Sequence, residues 1–443
     1  MNLVTNQPPT ATDPAPPGRR LRVLVNVYAA SPARGSEPGV GWQVTSALAR
    51  WNDVTVLCAP GTPGPEHSVF KEEIDRHVAA HGPVPGLTIH YVPRPPLSEW
   101  FQKERELFRR TVYYAGYKAW QRAALREARR LHAMRPFDVV HQLAMTGFRE
   151  PGYLWKLPGV PFVWGPVGGA ANIPAAYFPL MGAIDRAFYA VRNLSNELQK
   201  RAAIRCRRAA ARASHLWAIG DQNKAMIEGI WGRPAEMLIE SGTVPRPEAR
   251  VRRRVPGTPL RVVWSGLHIG RKALPLLLRA MARLAPGTPV EATVLGGGPL
   301  TAAWQAEAAA LGLSDHVRFP GKLPQADALR HVNEADVLAF TSVQEGTPHA
   351  VLEALSLGVP VICHDACGMG VAVDASCGIK LPMTDIGTSV DGFAAALKRL
   401  ADEPELVGRL SAGAIARSDA LSWASKARRI DEVYRHLAGN MAD

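Results

Sequence analysis

The stretch from Val337 to Asp365 constrains the fold of this chain more than any other, because it joins two apolar runs through a loop and a helix-compatible segment. The first run breaks at Glu345-Gly346-Thr347-Pro348, helix-permitting residues follow as far as Leu357, and a β-branched run extends from Val359 to Cys363. This order predicts a strand, a loop, a helix and a second strand, which together form the repeating unit of a parallel, doubly wound α/β sheet.

Two carboxylates of this stretch occupy positions at which open α/β sheets bind ligands, beyond the carboxyl end of a strand and at the start of its helix. Glu345 lies in the predicted loop and Glu353 in the predicted helix. Taken alone, the spacing is equally compatible with a structural interpretation, in which Glu345 caps the helix and Glu353 is a solvated helix residue.

The pattern Glu-Gly-x-Pro-x-x-x-x-Glu-Ala, present here from Glu345 to Ala354, closely resembles the signature of retaining, nucleotide-sugar-dependent glycosyltransferases of family 4. In that family the first Glu approaches the hydroxyls of the transferred sugar and the second binds the ribose diol of the nucleotide. A carboxylate suits this task because it accepts two hydrogen bonds. Backbone N–H groups of Gly346, Thr347 and the residues after Pro348 would then face the donor diphosphate at the helix N-terminus.

A glycine-rich loop follows the first predicted strand, Leu21 to Tyr28. The loop reads GSEPGVGW, and glycines in such a loop let a ligand approach the backbone closely. It resembles the N-terminal loop of many family 4 enzymes, which closes over the donor diphosphate from the opposite domain. The resemblance assigns that role to Gly35, Ser36, Gly39 and Gly41. A plain tight turn into a helix is the alternative.

A basic cluster follows the strand that opens the second half of the chain, Leu260 to Gly266. Gly266 with Arg271 and Lys272 resembles the family's glycine, arginine and lysine cluster, which grips the donor diphosphate. The family often has Arg directly after the glycine, whereas Leu267 stands here, so Arg271 is expected to replace it. Cations there would neutralise the charge that grows on the departing diphosphate. A solvated pair at a helix start is the alternative, which the helix dipole disfavours.

His141 ends a predicted strand, Phe137 to Gln142, and is a candidate sugar-side or acceptor-side residue by position only. A satisfied structural histidine is the equally weighted alternative. Many family members carry a His after the next strand, where this chain reads Trp164-Gly165-Pro166. The contact to the transferred sugar on that side is therefore not assigned.

The composition narrows the choice of partners. The 443 residues, 47% of them hydrophobic, allow two or three domains, and no stretch approaches the ~18 uncharged apolar residues of a membrane span. The net charge of +13 calls for an acidic partner. A nucleic acid is not expected because no recognised binding module is present, which leaves anionic lipid headgroups or a diphosphate-linked substrate.

Cysteine usage favours a reducing cytosol, because the five cysteines are few, odd in number and scattered. Cys363, Cys367 and Cys377 lack a fourth partner, so a zinc site is not expected. The chain also has no Asp-x-Asp metal motif.

Two basic regions leave their role open. Ser98 to Pro136 mixes seven aromatic residues with Arg and Lys, and it predicts either an interfacial helix resting on lipid headgroups or a helix whose aromatic face packs on its own domain. Asp185 to Ser214 is strongly basic, with Glu197 its only acid after Asp185. It predicts either attraction to an anionic membrane or acceptor, or a solvated surface.

These motifs predict an α/β protein of GT-B architecture, with two Rossmann-like doubly wound domains facing across a cleft. A disordered tail is expected over residues 1–20, an acceptor-side domain over 21–245 with a crossing helix at about 422–438, and a donor-binding domain over 250–421. The linker is placed from Glu240 to Ala249, which is polar and Pro-rich.

The family resemblance implies a metal-independent, retaining glycosyltransferase that takes a nucleoside-diphosphate sugar as donor and needs no further cofactor. A saccharide or lipid-linked acceptor is expected, as in cell-envelope or exported polysaccharide assembly, in the cytoplasm or at the inner face of the membrane. Two alternatives stay open: a GT-B nucleotide-sugar epimerase, and a catalytically silent GT-B protein that binds a membrane or a partner enzyme.

Overall fold

Two parallel β-sheets organise the chain in the computed structural model, which describes residues 18–61, 69–94, 109–284 and 288–440, the side chains of 109–113 excepted. The first sheet has the order β3-β2-β1-β4-β5-β6-β7 and the second β10-β9-β8-β11-β12-β13. The first comprises β1 (Arg22–Tyr28), β2 (Asp53–Cys58), β3 (Leu87–Tyr91), β4 (Val139–Gln142), β5 (Phe162–Val167), β6 (His215–Ala218) and β7 (Glu236–Met237). The second comprises β8 (Leu260–Ser265), β9 (Val290–Leu295), β10 (Val317–Gly321), β11 (Val337–Phe340), β12 (Val361–His364) and β13 (Gly378–Leu381).

Helices accompany both sheets. The first sheet's helices are α1 (Ser36–Leu48), α2 (Phe70–His81), α3 (Arg109–Met134), α4 (Ala183–Ala202), α5 (Ile204–Arg212) and α6 (Asp221–Trp231). The second sheet is followed by α7 (Pro275–Ala282), α8 (Thr301–Ala310), α9 (Gln325–Glu334), α10 (His349–Ser356), α11 (Cys367–Ala372), α12 (Ile386–Asp402), α13 (Pro404–Ala420) and α14 (Trp423–Gly439). Short 3₁₀ turns span Leu154–Lys156, Ala175–Leu180 and Gly270–Lys272.

The central strands are apolar because both of their faces are covered. All four residues of β11 are buried, and so are the last six of the seven residues of β1. Parallel sheets covered on both faces require such continuous apolar runs. The strand, loop, helix and strand predicted for 337–365 are β11, the loop to Pro348, α10 and β12, with Pro348 immediately preceding the helix.

Each sheet has a point at which its strand order reverses, between β1 and β4 in the first and between β8 and β11 in the second. Open α/β sheets bind ligands outside the carboxyl ends of the strands at such switch points. The glycine-rich loop follows β1, while the Arg271-Lys272 turn and the Glu345 loop follow β8 and β11. The sequence motifs therefore converge on these two points.

The domains exchange segments. Helix α14 contributes Ala427, Ile430 and Tyr434 to the core of the first domain. In the opposite direction, Ile173 and Tyr177 belong to the core of the second domain, and the Tyr177 hydroxyl lies 2.7 Å from Ser389 Oγ. These exchanges tie the domains together on both sides of the linker.

Of the tail predicted over residues 1–20, residues 1–17 lie outside the described residues. Arg19 and Arg20, which the prediction included in the tail, are fixed to the first domain. Arg19 pairs with Asp138 at 2.6 Å, and Arg20 pairs with Asp53 at 2.9 Å.

The aromatic region predicted over 98–136 is only partly described, since residues 95–108 and the side chains of 109–113 lie outside the described residues. Within the described part of α3, Tyr117 and Trp120 are fully buried, and Trp120 Nε1 donates to the Val92 carbonyl at 2.8 Å. This part of the aromatic face packs on its own domain. Across the described residues, no helix combines the length and apolar character needed to cross a membrane.

Candidate functional site

Glu345, Lys272 and Arg271 form one charged cluster at the carboxyl ends of β8 and β11. Lys272 Nζ donates to Glu345 Oε2, and Arg271 Nη1 donates to the same oxygen at 3.1 Å and to the Gln344 carbonyl at 2.9 Å. The side chain of Lys272 is 12% exposed, that of Arg271 is 25% exposed and that of Glu345 is 14% exposed. The fold thus brings Glu345 into direct contact with Lys272 and Arg271, which precede it in the chain by 73 and 74 positions.

The backbone under this cluster is fixed by hydrogen bonds between the loops that follow β8 and β11. The Thr341 hydroxyl donates to the Lys272 carbonyl at 2.7 Å, and it accepts from Trp264 Nε1 at 2.9 Å. The Val343 N–H donates to the Arg271 carbonyl at 2.9 Å. Burial lowers the pKa of Lys272, whereas the Glu345 carboxylate opposes this shift. The cations are therefore held in place before any ligand arrives.

Gly266 lies beside the lysine stem. A Cβ atom at Gly266 would lie 3.3 Å from the Trp264 ring and 3.6 Å from Lys272 Cδ. Gly296, at a φ of +116°, packs so closely that a Cβ there would overlap the Gly266 carbonyl oxygen. The glycine predicted in the diphosphate cluster thus lies against the Trp264 ring and beside the lysine stem, and its carbonyl packs on Gly296.

The loop from Glu345 to Pro348 leads directly into α10. Gly346 is exposed, and a Cβ atom added to it would meet no other atom of the described residues within 4 Å, although its carbonyl packs against Gly368. The Thr347 hydroxyl donates to Glu240 Oε2 at 3.1 Å. Loop and helix N-terminus together present backbone donors beside the charged cluster, an arrangement that favours anions.

Glu353 lies farther along α10 and is partly buried. Burial raises the pKa of its carboxyl, while the Arg246 guanidinium and the Gln325 amide oppose this shift, Gln325 Nε2 lying 3.4 Å from Glu353 Oε1. Its assignment to the ribose stays a prediction.

The structure separates the residues of the glycine-rich loop into an exposed pair and a buried pair. Gly35 and Ser36 are exposed at the start of α1, and Ser36 has a φ of +55°. Gly39 and Gly41 are buried inside α1, where a Cβ atom would overlap the carbonyl oxygens of Arg34 and Ala29. The prediction that these two glycines open the backbone to a ligand is corrected: they let α1 pack against the preceding chain.

The prediction that His141 contacts the sugar or the acceptor is also corrected. Its side chain is fully buried, its Nδ1 lies 2.6 Å from the Tyr434 hydroxyl, and its Nε2 lies 2.7 Å from the Gly165 carbonyl oxygen. Burial lowers the pKa of His141 to about 4, so the ring is neutral near pH 7. His141 joins β4 to α14 and has no free nitrogen for a substrate.

Two further carboxylates near the cleft were missed from the sequence. Glu37 in the first turn of α1 and Glu240 after β7 lie near enough for their charges to interact. Glu37 Oε1 has no hydrogen-bond partner within the described part of the chain. Burial, with Glu240, raises the pKa of Glu37 to about 7, against a hydrogen bond from the Thr146 N–H. Only the position of Glu37 within the GSEPGVGW loop could have indicated it.

Replacing Glu37 by Gln should flatten the pH dependence of stability. Because the pKa of Glu37 is raised from 4.5 to about 7 on folding, the folded protein keeps a proton that the unfolded chain has lost. This stabilisation is complete below the unfolded value and disappears as the pH rises through about 7, a change of ~1–3 kcal/mol. Unfolding midpoints between about pH 5 and about pH 8 measure it. The exposed Glu72→Gln variant is the control, and a wild-type slope in Glu37→Gln would contradict the assignment.

A second contact missed from the sequence joins the two domains at the cluster. Gln344 Nε2 donates to the Ala171 carbonyl at 2.7 Å, and Arg192 Nη1 approaches the same oxygen at 3.3 Å. The segment after β5 therefore lies next to Glu345.

Among the described residues, no three His, Cys, Asp or Glu side chains are grouped so that they could hold a metal ion. Metal independence stays a prediction.

Comparison with known proteins gives the fold first. The chain is similar to Anabaena HepE, solved in complex with UDP, with a TM-score of 0.57 and 14% identity over 94% of this chain and all of that one. It is also similar to sucrose-phosphate synthase from Thermosynechococcus elongatus, with a TM-score of 0.56 and 18% identity over 95% of this chain and all of that one. Two parallel-sheet Rossmann-like domains in this arrangement are the GT-B fold, so the predicted fold class is confirmed.

The family comparison concerns a part of the chain. Residues 245–417, which hold Lys272, Glu345 and Glu353, match the family described as Glycosyl transferases group 1. The D-inositol 3-phosphate glycosyltransferase of Streptomyces griseus subsp. griseus is 32% identical over 208 residues, which cover 44% of this chain and 43% of that protein. The match thus spans less than half the length of this relative.

Proposed function

We propose that this protein is a glycosyltransferase that moves a sugar from a nucleoside-diphosphate sugar to an acceptor hydroxyl with retention of the anomeric configuration. The observation that carries the proposal is the contact of Glu345 with Lys272 and Arg271 beside the N-terminus of α10. It is supported by the match of residues 245–417 to the group 1 glycosyl transferases and by the GT-B fold shared with a UDP complex.

The donor diphosphate binds where positive charge and backbone donors meet. Lys272 and Arg271 neutralise the phosphate oxygens, and the N–H groups of Gly346 and Thr347 add hydrogen bonds at the helix N-terminus. Glu353 accepts hydrogen bonds from the ribose diol. The exposed Gly35 and Ser36 lie on the opposite domain and close over the diphosphate, which excludes water from the reaction.

The reaction proceeds on one face of the sugar. The acceptor oxygen bonds to the anomeric carbon as the bond from that carbon to the diphosphate oxygen breaks, and the departing oxygen takes the acceptor proton. Charge on the diphosphate grows in this step, and Lys272 and Arg271 stabilise it. Glu345 is engaged by both cations, which makes it a poor nucleophile and favours this route over a double displacement through a covalent intermediate.

We further propose that the reaction needs no metal ion and no cofactor besides the donor, because the two cations supply the charge that a divalent ion would otherwise provide. Activity should persist after exhaustive treatment with EDTA and should not rise when Mg²⁺ or Mn²⁺ is restored. Activity that disappears with EDTA and returns with either ion would contradict this part of the proposal.

The acceptor is proposed to be a saccharide or a lipid-linked saccharide of cell-envelope or exported polysaccharide assembly, met in the cytoplasm or at the inner face of the membrane. The basic net charge of +13 suits an acceptor that carries phosphate. The five cysteines are all buried and unpaired, in keeping with a reducing compartment.

Turnover of a panel of nucleotide sugars tests the proposal. Release of free nucleoside diphosphate that depends on an acceptor, with a product whose anomeric coupling matches that of the donor, is the expected result. Inversion at the anomeric carbon would overturn the retaining mechanism. A donor epimerised without an acceptor would identify an epimerase, and nucleotide binding without any turnover would identify a silent GT-B protein.

A further inference from the structure

Helix α4 exposes its apolar face and turns its polar face towards the protein, which is the reverse of an ordinary surface helix. Its large apolar residues are mostly exposed: Ile184 by 86%, Phe188 by 49%, Val191 by 68%, Leu194 by 65% and Leu198 by 62%. Their spacing of three and four residues places them along one stripe of the helix. Surface helices normally turn such a stripe towards the core.

The polar face of α4 instead holds the helix to the protein. Asn196 is fully buried and donates to the Ala170 carbonyl at 3.0 Å, and Asn193 donates to the Ile173 carbonyl at 2.8 Å. Lys200 is 7% exposed and pairs with Glu197. Because these bonds fix the rotation of the helix about its axis, the apolar stripe cannot turn inwards without breaking them.

The stripe is concentrated rather than scattered. Twelve large hydrophobic residues are exposed in the described part of the chain, and six of them lie between Ile184 and Ile204. Single exposed apolar residues need no explanation, whereas a contiguous patch marks an interaction surface.

The two helices α4 and α5 are rich in positive charge. Residues 183–212 contain eight Arg or Lys against two acids, and one of these, Glu197, is already paired with Lys200 and Arg201. The exposed cations of α4 and α5 are Arg186, Arg201, Arg207, Arg208 and Arg212. An apolar stripe with basic flanks is complementary to an anionic lipid surface, which offers acyl chains for the stripe and phosphates for the cations.

We propose that the α4–α5 face, consisting of the apolar stripe of α4, Ile204 and the five exposed arginines, docks on an anionic phospholipid membrane. Helix α4 then lies in the plane of the interface. The face is joined to the candidate site, since the segment that Asn196 and Asn193 hold includes Ala171, whose carbonyl accepts from Gln344 beside Glu345. Resting on the proposed glycosyltransferase function, this docking brings the cleft to a lipid-linked acceptor.

Co-sedimentation of the full chain with vesicles tests the docking. Vesicles of phosphatidylcholine with about 30 mol% phosphatidylglycerol should bind at least ~10-fold more tightly than phosphatidylcholine alone, and high salt should weaken the binding. The variant Ile184→Ser/Val191→Ser/Leu198→Ser, and separately Arg207→Gln/Arg208→Gln, should each lower the affinity for the anionic vesicles by ~10-fold or more. The matched control Met134→Ser/Val255→Ser removes two apolar side chains that are 71% and 63% exposed elsewhere, and it should bind as the wild type does.

Several outcomes would overturn the proposal. One is a wild-type protein that does not bind anionic vesicles, and another is a stripe variant that binds them as tightly as the wild type does. A stripe-dependent dimer in analytical ultracentrifugation, without vesicle binding, would assign the face to a second copy of the chain. The stripe variant should keep the wild-type thermal shift with nucleotides. A lost vesicle affinity with an intact nucleotide shift therefore separates this inference from the proposed function.

Discussion

Replacing Lys272 by Met is expected to lower kcat/KM for sugar transfer by about 10²- to 10⁴-fold. The ammonium group is the cation held most closely by Glu345, and it lies in a largely buried position where charge is weakly screened. Its loss removes a preorganised partner of the departing diphosphate. The fold should survive, because Arg271 still pairs with Glu345 and the loop hydrogen bonds through Thr341 use the backbone of residue 272.

The matched control is Lys224→Met. Lys224 pairs with Glu228 at 3.7 Å one turn along α6, and both side chains are well exposed. This variant removes one positive charge from the opposite domain and should leave kcat/KM within about twofold of the wild type. Equal activities for Lys272→Met and the wild type, with normal unfolding midpoints for both, would remove Lys272 from the mechanism.

Replacing Lys426 by Met is expected to destabilise the protein by ~3–5 kcal/mol. Lys426 is 5% exposed, and its Nζ donates to the carbonyls of Ile239, Glu240 and Ser241, the last two at 2.8 Å. Three acceptors match the three N–H groups of the protonated amine, whose pKa burial lowers to about 7. A methionine would leave these buried carbonyls without their donor, and two of them, those of Glu240 and Ser241, lie in the predicted interdomain linker.

Urea unfolding followed by intrinsic tryptophan fluorescence measures this loss as a lower midpoint. Lys71→Met is the control, since Lys71 forms an exposed ion pair with Asp75 and its removal should change stability by less than about 1 kcal/mol. A Lys426→Met midpoint equal to that of Lys71→Met would show that the hydrogen bonds of Lys426 to the three carbonyls contribute no stability.

The charged cluster could be predicted from the sequence because strand order brings loops together. Lys272 follows β8 and Glu345 follows β11, and these strands are neighbours at the point where the second sheet reverses direction. A motif after a parallel strand is thereby assigned to an edge of a sheet without knowledge of side-chain contacts. The predicted strand, loop, helix and strand from Val337 to Asp365 succeeded for the same reason.

His141 shows what strand position does not reveal. The end of β4 is near the switch point, yet the direction of the side chain is set by Tyr434, which lies 293 positions away on α14. Gly39 and Gly41 show a related limit, because a glycine that admits a ligand and a glycine that admits a neighbouring carbonyl look alike in sequence. Both cases depend on contacts between distant segments.

The sequence also did not reveal that polar side chains attach α4 to the rest of the protein. The sequence shows a strongly basic segment but not which face is turned to the protein. The structure gives that face to Asn196 and Asn193, whose acceptors are backbone carbonyls after β5. Backbone carbonyls are available at every residue and leave no signal in the sequence.

The measurement that tests the central claim most directly is the thermal shift of the wild type and of Glu353→Ala with UDP, GDP, ADP and dTDP and their common sugars. A ligand at 100 times its Kd stabilises the folded state by about 2.7 kcal/mol, which is readily detected as a higher unfolding midpoint. We predict that one nucleotide stabilises the wild type and that Glu353→Ala loses most of this effect. No shift with any nucleotide, or an equal shift in both proteins, would contradict the assignment of the donor site.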